Sequence, residues 1–158
     1  MAQTSTTSTT SISLAGIAEL KSSEGLRLCP YLDSVKVPTI GIGSTFYEDG
    51  RKVTMQDACI TEQRAEQLAL HTLNSIFLPG ILRELKVPVN QHQLDALASL
   101  VYNIGVGAFS TSTLLKRINS GADRASISAA FLMWNKGGGK VLKGLVARRE
   151  REIALYYS

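Results

Sequence analysis

Glu24, Asp33 and Thr39 are the residues whose types and spacing could carry bond-cleaving chemistry. They stand in the stretch SSEGLRLCPYLDSVKVPTIGIGST, from Ser22 to Thr45. The local pattern reads as helix end, turn and then strand. That order sets one acid on a helix terminus opposite another on a loop feeding a sheet. Two carboxylates facing each other across a cleft suit cleavage of a glycosidic bond, one protonating the leaving oxygen and the other activating water. Two isolated acids are more often solvated surface residues, so the surrounding pattern has to carry the argument.

The elements that must position these acids are legible in outline. Leu14, Ile17, Ala18 and Leu20 sit at helical spacing behind Ser13, a residue suited to the N-cap. Gly25 suits the C-terminal cap, so the helix should end near Glu24. A helix C-terminus carries partial negative charge and disfavours an ionised carboxylate. Burial against Leu26 and Leu28 would act in the same sense and favour a carboxyl able to donate a proton. Val35 to Tyr47 alternates as a strand, with Pro38 confined to an edge or bulge. Glu48-Asp49-Gly50 reads as a turn and Arg51 to Val53 as the returning strand. Gly41 and Gly43 clear one face of the first strand for close approach of backbone or a sugar ring.

Everything from Thr61 onward is expected to be helical. Ala65, Leu68, Ala69, Thr72 and Ile76 mark one face of a long helix that bends or breaks at Pro79-Gly80. Asn90 and Gln93 form a capping box, followed by a buried stripe of Leu94, Leu97, Ala98 and Val101 that ends at Gly105. Ser112-Thr113 starts another helix, Arg124 to Trp134 a further one, and a last runs from about Val146 to Tyr156. Gly137 to Gly139 breaks the chain between them.

The 158 residues, 44% hydrophobic and 19% charged, fit one globular domain. Residues 1–11, rich in Ser and Thr, read as a disordered tail, leaving 12–158 as the single domain. No apolar run approaches the ~20 residues of a spanning helix, and no secretory signal is evident. A net charge of +4 suits a polyanion without selecting one. Lys136, Lys140, Lys143, Arg148, Arg149 and Arg151 read as a solvated helix face, or alternatively as an attraction to an anionic surface. Cys29 and Cys59 read as small buried thiols, although the place of Cys29 between the two acids leaves a redox role open. Two His and two Cys lack metal-ligand spacing.

The stretch around the acids resembles the phage-type lysozymes, glycoside hydrolase family 24. The family pattern stands here as Glu24-Gly25, Tyr31-Leu32-Asp33 and Thr39-Ile40-Gly41-Ile42-Gly43. Segments Asn90–Gly121 and Phe131–Tyr156 are similar to the family's second lobe. Ser44 departs from the His that many members carry at that position.

The resemblance implies an α+β lysozyme-like fold. In it a small antiparallel sheet lobe is joined by a long helix to a larger helical lobe, with a cleft between them. It implies Glu24 as general acid, and Asp33 and Thr39 as holders of the attacking water. Tyr31, Gly41 and Gly43 would form the cleft floor, with Ser112, Thr113 and Trp134 facing them from the second lobe. Trp134 reads either as a sugar-stacking residue or as core. Arg148 would hold Glu24 or a muramyl carboxylate. The implied substrate is peptidoglycan, cut between N-acetylmuramic acid and N-acetylglucosamine by a monomer that needs no cofactor, metal or nucleic acid and does not insert in the membrane. It would be made in the host cytoplasm and reach the wall through a phage holin. A lytic transglycosylase and an inactive wall-binding relative are the alternatives. The presence of Asp33 and Thr39, which an intramolecular attack would not need, favours hydrolysis.

Overall fold

A computed structural model describes residues 11–158. The tail expected over residues 1–11 therefore lies outside the described residues except for Ser11, whose carbonyl accepts a hydrogen bond from Gln91 Nε2 at 3.0 Å. The first helix, α1, covers Leu14–Glu24 and starts at Ser13 as expected, the Ser13 hydroxyl accepting from the Gly16 N–H. The cap is itself anchored, because the Ser13 N–H and hydroxyl both donate to the buried carboxylate of Asp95. Gly25, at φ 78°, ends the helix beside Glu24.

The sheet lobe departs from the expected strand over 35–47. Two short strands, β1 (Arg27–Leu32) and β2 (Pro38–Gly41), pair antiparallel, with Tyr31 opposite Thr39 and Leu32 opposite Pro38. The Asp33 carboxylate sets the turn between them: Oδ1 accepts the N–H groups of Val35 and Val37, at 2.9 and 2.8 Å. That local side-chain bonding takes Val35 out of the ladder. The remainder of the lobe is held by two isolated bridges, Ile40 with Ser44 and Phe46 with Lys52. Its own buried cluster is small: Ile40, Val53 and Leu68, with Tyr47 and Ile60 against them.

Cys29 and Cys59 form a disulfide, correcting the reading of both as buried thiols. Both are exposed. The bridge ties β1 to the segment just before the next helix, where the Ile60 N–H also donates to the Leu28 carbonyl at 2.8 Å. A lobe with so small a core is where a covalent staple adds most.

Helix α2 (Glu62–Thr72) is capped by Thr61 and runs through a π-helical turn, Leu73–Phe77, into α3 (Leu78–Glu84). The long helix is thus continuous in path, and its irregularity begins before Pro79 rather than at it. Proline has no N–H to give to the preceding turn, and the wider turn absorbs the loss. Gly80 is required by packing, since a Cβ there would meet Val106 Cγ1 at 2.7 Å.

Beyond it lie α4 (Gln91–Ile104), α5 (Val106–Ser110), α6 (Thr113–Asn119), α7 (Arg124–Leu132) and α8 (Lys143–Tyr156). Asn90 and Gln93 make the expected capping box. Helix α4 runs through the middle of the main core and contributes Leu94, Leu97, Leu100 and Val101. Helices α1 and α8 both pack against it and touch each other. The chain is not all helical after Thr61. Strands β3 (Lys136–Gly137) and β4 (Lys140–Val141) form a small hairpin. Gly138 and Gly139, both at positive φ, supply its two-residue turn.

Candidate active site

Glu24 stands at the last position of α1, half-buried. Its Oε1 accepts from Arg148 Nη1 at 2.7 Å. A Cβ added to Gly43 would stand 3.2 Å from Oε2 and 3.4 Å from the ring of Tyr102. Gly43 has φ 68°, so glycine suits the turn that follows β2 and leaves the acid uncrowded there. Tyr102, on α4, donates its hydroxyl to the Ile42 carbonyl at 2.7 Å and so clamps the helical lobe to the sheet lobe beside the acid. Burial pushes the Tyr102 phenol above its ordinary range, keeping it a neutral donor.

Tyr31 and Thr39 are directly opposite and share one face of the β1–β2 hairpin, and Asp33 follows in the turn just beyond β1. Thr39 is buried, and its hydroxyl donates to the Val37 carbonyl at 2.8 Å. With its proton committed there, the oxygen can only accept, as it would from a water. Asp33 commits Oδ1 to the turn. Its Oδ2 makes no hydrogen bond among the described residues. The Tyr31 phenol is raised chiefly by burial; Arg27, stacked on its ring at 4.5 Å, opposes the rise, and the charges of Glu24 and Asp33 add to it.

Arg148 is buried rather than solvated. It bonds Glu24 through Nη1 and the Ser99 carbonyl through Nη2, at 2.9 Å, so its guanidinium is occupied within the protein. Arg149 is also buried, correcting the reading of both as part of a solvated face. Lys136, Lys140 and Lys143 are exposed as expected. Gly41 does not face the cleft: a Cβ there would meet Ala65 Cβ at 3.0 Å, so it lets β2 lie against α2.

A cleft of about 650 Å³ has Gly43, Phe46, Tyr47, Ile76, Phe77 and Tyr102 among its walls; it reaches Gly43 and Tyr102, neighbours of Glu24, but Glu24, Asp33 and Thr39 do not line it. A second hollow, about 400 Å³, lies on the helical lobe and includes Ser112, Thr113, Met133 and Trp134. Within it the Ser112 hydroxyl caps α6, accepting from the Leu115 N–H and donating to the Phe109 carbonyl. Trp134 is partly buried against the core and partly open to the hollow. Among the described residues no cluster of His, Cys, Asp and Glu could hold a metal. No helix there is long and apolar enough to cross a membrane.

Sequence reasoning missed Tyr102, Ser99 and Glu152. Glu152 had a readable signal, standing three residues after Arg149 and four after Arg148 on one helix.

The family model described as phage lysozyme matches residues 21–152. The endolysin of Bacillus phage PZA is 44% identical over 150 residues, which cover 93% of this chain and 55% of that protein. The chain thus spans about half the length of the Bacillus phage relatives it matches. The endolysin of Salmonella phage P22 is 42% identical, over 93% of this chain and 98% of that one. Among solved structures, a P22 lysozyme mutant superposes with a TM-score of 0.82 at 40% identity, covering 94% of this chain and 99% of that one. The muramidase domain of SpmX from Asticaccaulis excentricus gives 0.79 at 32%, covering 93% of this chain and 97% of that one. With its α+β fold, its acid at the end of the first helix and this extent of similarity, the chain belongs to the phage lysozyme family.

Proposed function

We propose that the chain is a lysozyme-type endolysin that hydrolyses the β-1,4 bond between N-acetylmuramic acid and N-acetylglucosamine in peptidoglycan. The observation that carries this reading is Glu24 at the end of α1, its carboxylate bonded at 2.7 Å by the buried Arg148. In this reading Glu24 protonates the leaving oxygen. Asp33 Oδ2 and the Thr39 hydroxyl hold the attacking water and accept its proton. The attack comes from the face opposite Glu24 and inverts the anomeric carbon. Tyr31, Gly43 and the walls of the 650 Å³ cleft seat the saccharide. Ser112, Thr113 and Trp134 extend its bed onto the helical lobe. Gly41 serves this bed only by seating β2 on α2.

The enzyme acts as a monomer on the wall, without cofactor or nucleic acid. A phage holin opens its route from the host cytoplasm. The related protein from Escherichia phage Mu, 37% identical, bears the name SAR-endolysin, so the route across the membrane is to be tested separately from the chemistry. The decisive experiment is digestion of purified peptidoglycan with wild type and Glu24→Gln, followed by mass spectrometry and NMR of the first-formed anomer. Hydrolysed reducing ends with inversion, and a loss of about 10²–10⁴-fold in the variant, are expected. Products with a 1,6-anhydro ring would establish transglycosylation instead. Wild-type turnover by folded Glu24→Gln would remove the acid assignment.

A further inference from the structure

Helix α8 carries more buried charge than bond cleavage requires. Arg148, Arg149 and Glu152 are 5%, 0% and 0% exposed. Glu152 Oε1 lies 2.7 Å from Arg149 Nε, and Oε2 lies 3.4 Å from Arg148 Nε. Oε2 also accepts the Ser99 hydroxyl at 2.7 Å. Arg149 reaches on to Asn103 Oδ1 at 3.0 Å, and its Nη1 is buried with no partner among the described residues. A buried ion cluster with an orphaned donor is a poor device for stability, because desolvation offsets its attraction. A role in setting the charge at Glu24 accounts for its position.

We propose that Glu152 is a positioning residue for Glu24: it shares the charge of Arg148 and cancels that of Arg149, so that Glu24 can hold the proton it delivers. The inference rests on the reading of Glu24 as the acid. Arg148 on its own favours the ionised form of Glu24, which is the wrong form for a proton donor, and Arg149 behind it adds to the effect. Glu152 supplies the opposing charge. With Glu24 protonated, Glu152 leaves one net positive charge behind the acid where the two arginines alone would leave two.

The surroundings leave this balance to α8. Facing Glu152 are Arg148 and Arg149 from its own helix and Ser99 from α4. Glu19 of α1 adds a like charge, and Glu19 is itself paired with Arg151 at 3.2 Å. Facing Glu24 are Arg148 from α8, Tyr31 from β1, and Gly43 and Tyr102 from β2's continuation and α4.

The test is the alkaline limb of the pH–rate profile on purified peptidoglycan, read beside the titration midpoint of the Glu24 side-chain carboxyl by ¹³C NMR. Glu152→Gln raises the net positive charge behind Glu24 from one to two and should move both to lower pH by about one unit. Arg149→Met removes the remaining net positive charge and should move both to higher pH by about half a unit or more. The double variant should return toward wild type. Folded variants that lose rate equally at every pH, with the Glu24 midpoint unmoved, would overturn the proposal. Should Glu152→Gln fail to fold, the sign of the shift in Arg149→Met decides alone, an upward shift supporting the role and none refuting it. The NMR midpoint needs no turnover, so failure of the acid assignment, seen as lysis by Glu24→Gln, is distinguishable from failure of this one.

Discussion

Gly43 and Glu24 stand against each other with little room to spare: a Cβ on Gly43 would be 3.2 Å from the Glu24 Oε2, so the carboxylate would have to give by a few tenths of an ångström. The turn after β2 is bare where it meets the acid. Gly43→Ala should therefore displace the acid as well as strain the backbone at φ 68°. The expected loss of lytic activity is about 10- to 100-fold, with a stability cost of about 1–2 kcal/mol. Gly121→Ala is the control. It has φ 70° with nothing within 4 Å of the added atom and lies away from the 650 Å³ cleft, so it should cost similar stability and leave activity intact. Turbidity assays with urea melts on both variants check this. Equal activity loss in the two would deny that Gly43 acts through Glu24.

Arg148→Met should destabilise the protein by about 3–5 kcal/mol, because it leaves Glu24 and the Ser99 carbonyl without their shared partner. Arg148→Lys should recover little. One ammonium cannot match the planar fork that reaches both acceptors and packs beside Glu152. Chemical denaturation of the two variants measures the difference, and near-wild-type stability of Arg148→Lys would count against this account.

Much of this arrangement was readable from the residues. Ser13, Gly25, Thr61, Asn90 and Gly105 each terminate a helix where their backbone chemistry says they should. The strand pairing was not legible. β1 carries Leu28 and Leu32 on exposed positions and a proline in its middle, so its alternation does not mark a buried face. It is held by its partner and by the cystine. The strand expected over 35–47 was an alternation of apolar types that the Asp33 turn interrupts. Two cysteines thirty residues apart gave no indication of contact, since that depends on how the lobe folds. At the site, the motif residues stood out by type and order, whereas Tyr102 and Ser99 looked like ordinary members of an α4 face. Their roles arise from what α1, α8 and the sheet lobe bring against that face.

Reduction of Cys29–Cys59 should weaken the sheet lobe selectively. Both sulfurs belong to exposed residues, the bridge closes a separation of 30 residues, and the lobe's buried cluster is small. A closed loop of that length contributes about 3–4 kcal/mol. With dithiothreitol, or in Cys59→Ser, proteolysis should begin between residues 42 and 60 while helical circular dichroism persists, and lytic activity should fall at 37 °C. Unchanged cleavage and activity would show that the lobe holds without its bridge.

Acid should loosen the same lobe through Asp57. Hydrogen bonds from the Thr54 N–H, the Tyr47 hydroxyl and the Thr54 hydroxyl hold its carboxyl down at about 2, against an ordinary 3.8. A carboxylate held below its unfolded value contributes stability that is complete above that value and lost as pH falls through the folded one. Melting temperature should thus drop between about pH 4 and pH 2, and Asp57→Asn should flatten that part of the curve. An unaltered acid limb in the variant would assign the loss to other carboxylates.

The contact between Glu24 and Arg148 spans 124 positions of sequence. Glu24 therefore leaves the ribosome long before its partner on α8 does. Until α8 has emerged and docked, or wherever proteolysis removes it, the Glu24 carboxylate stands without the guanidinium that orients it.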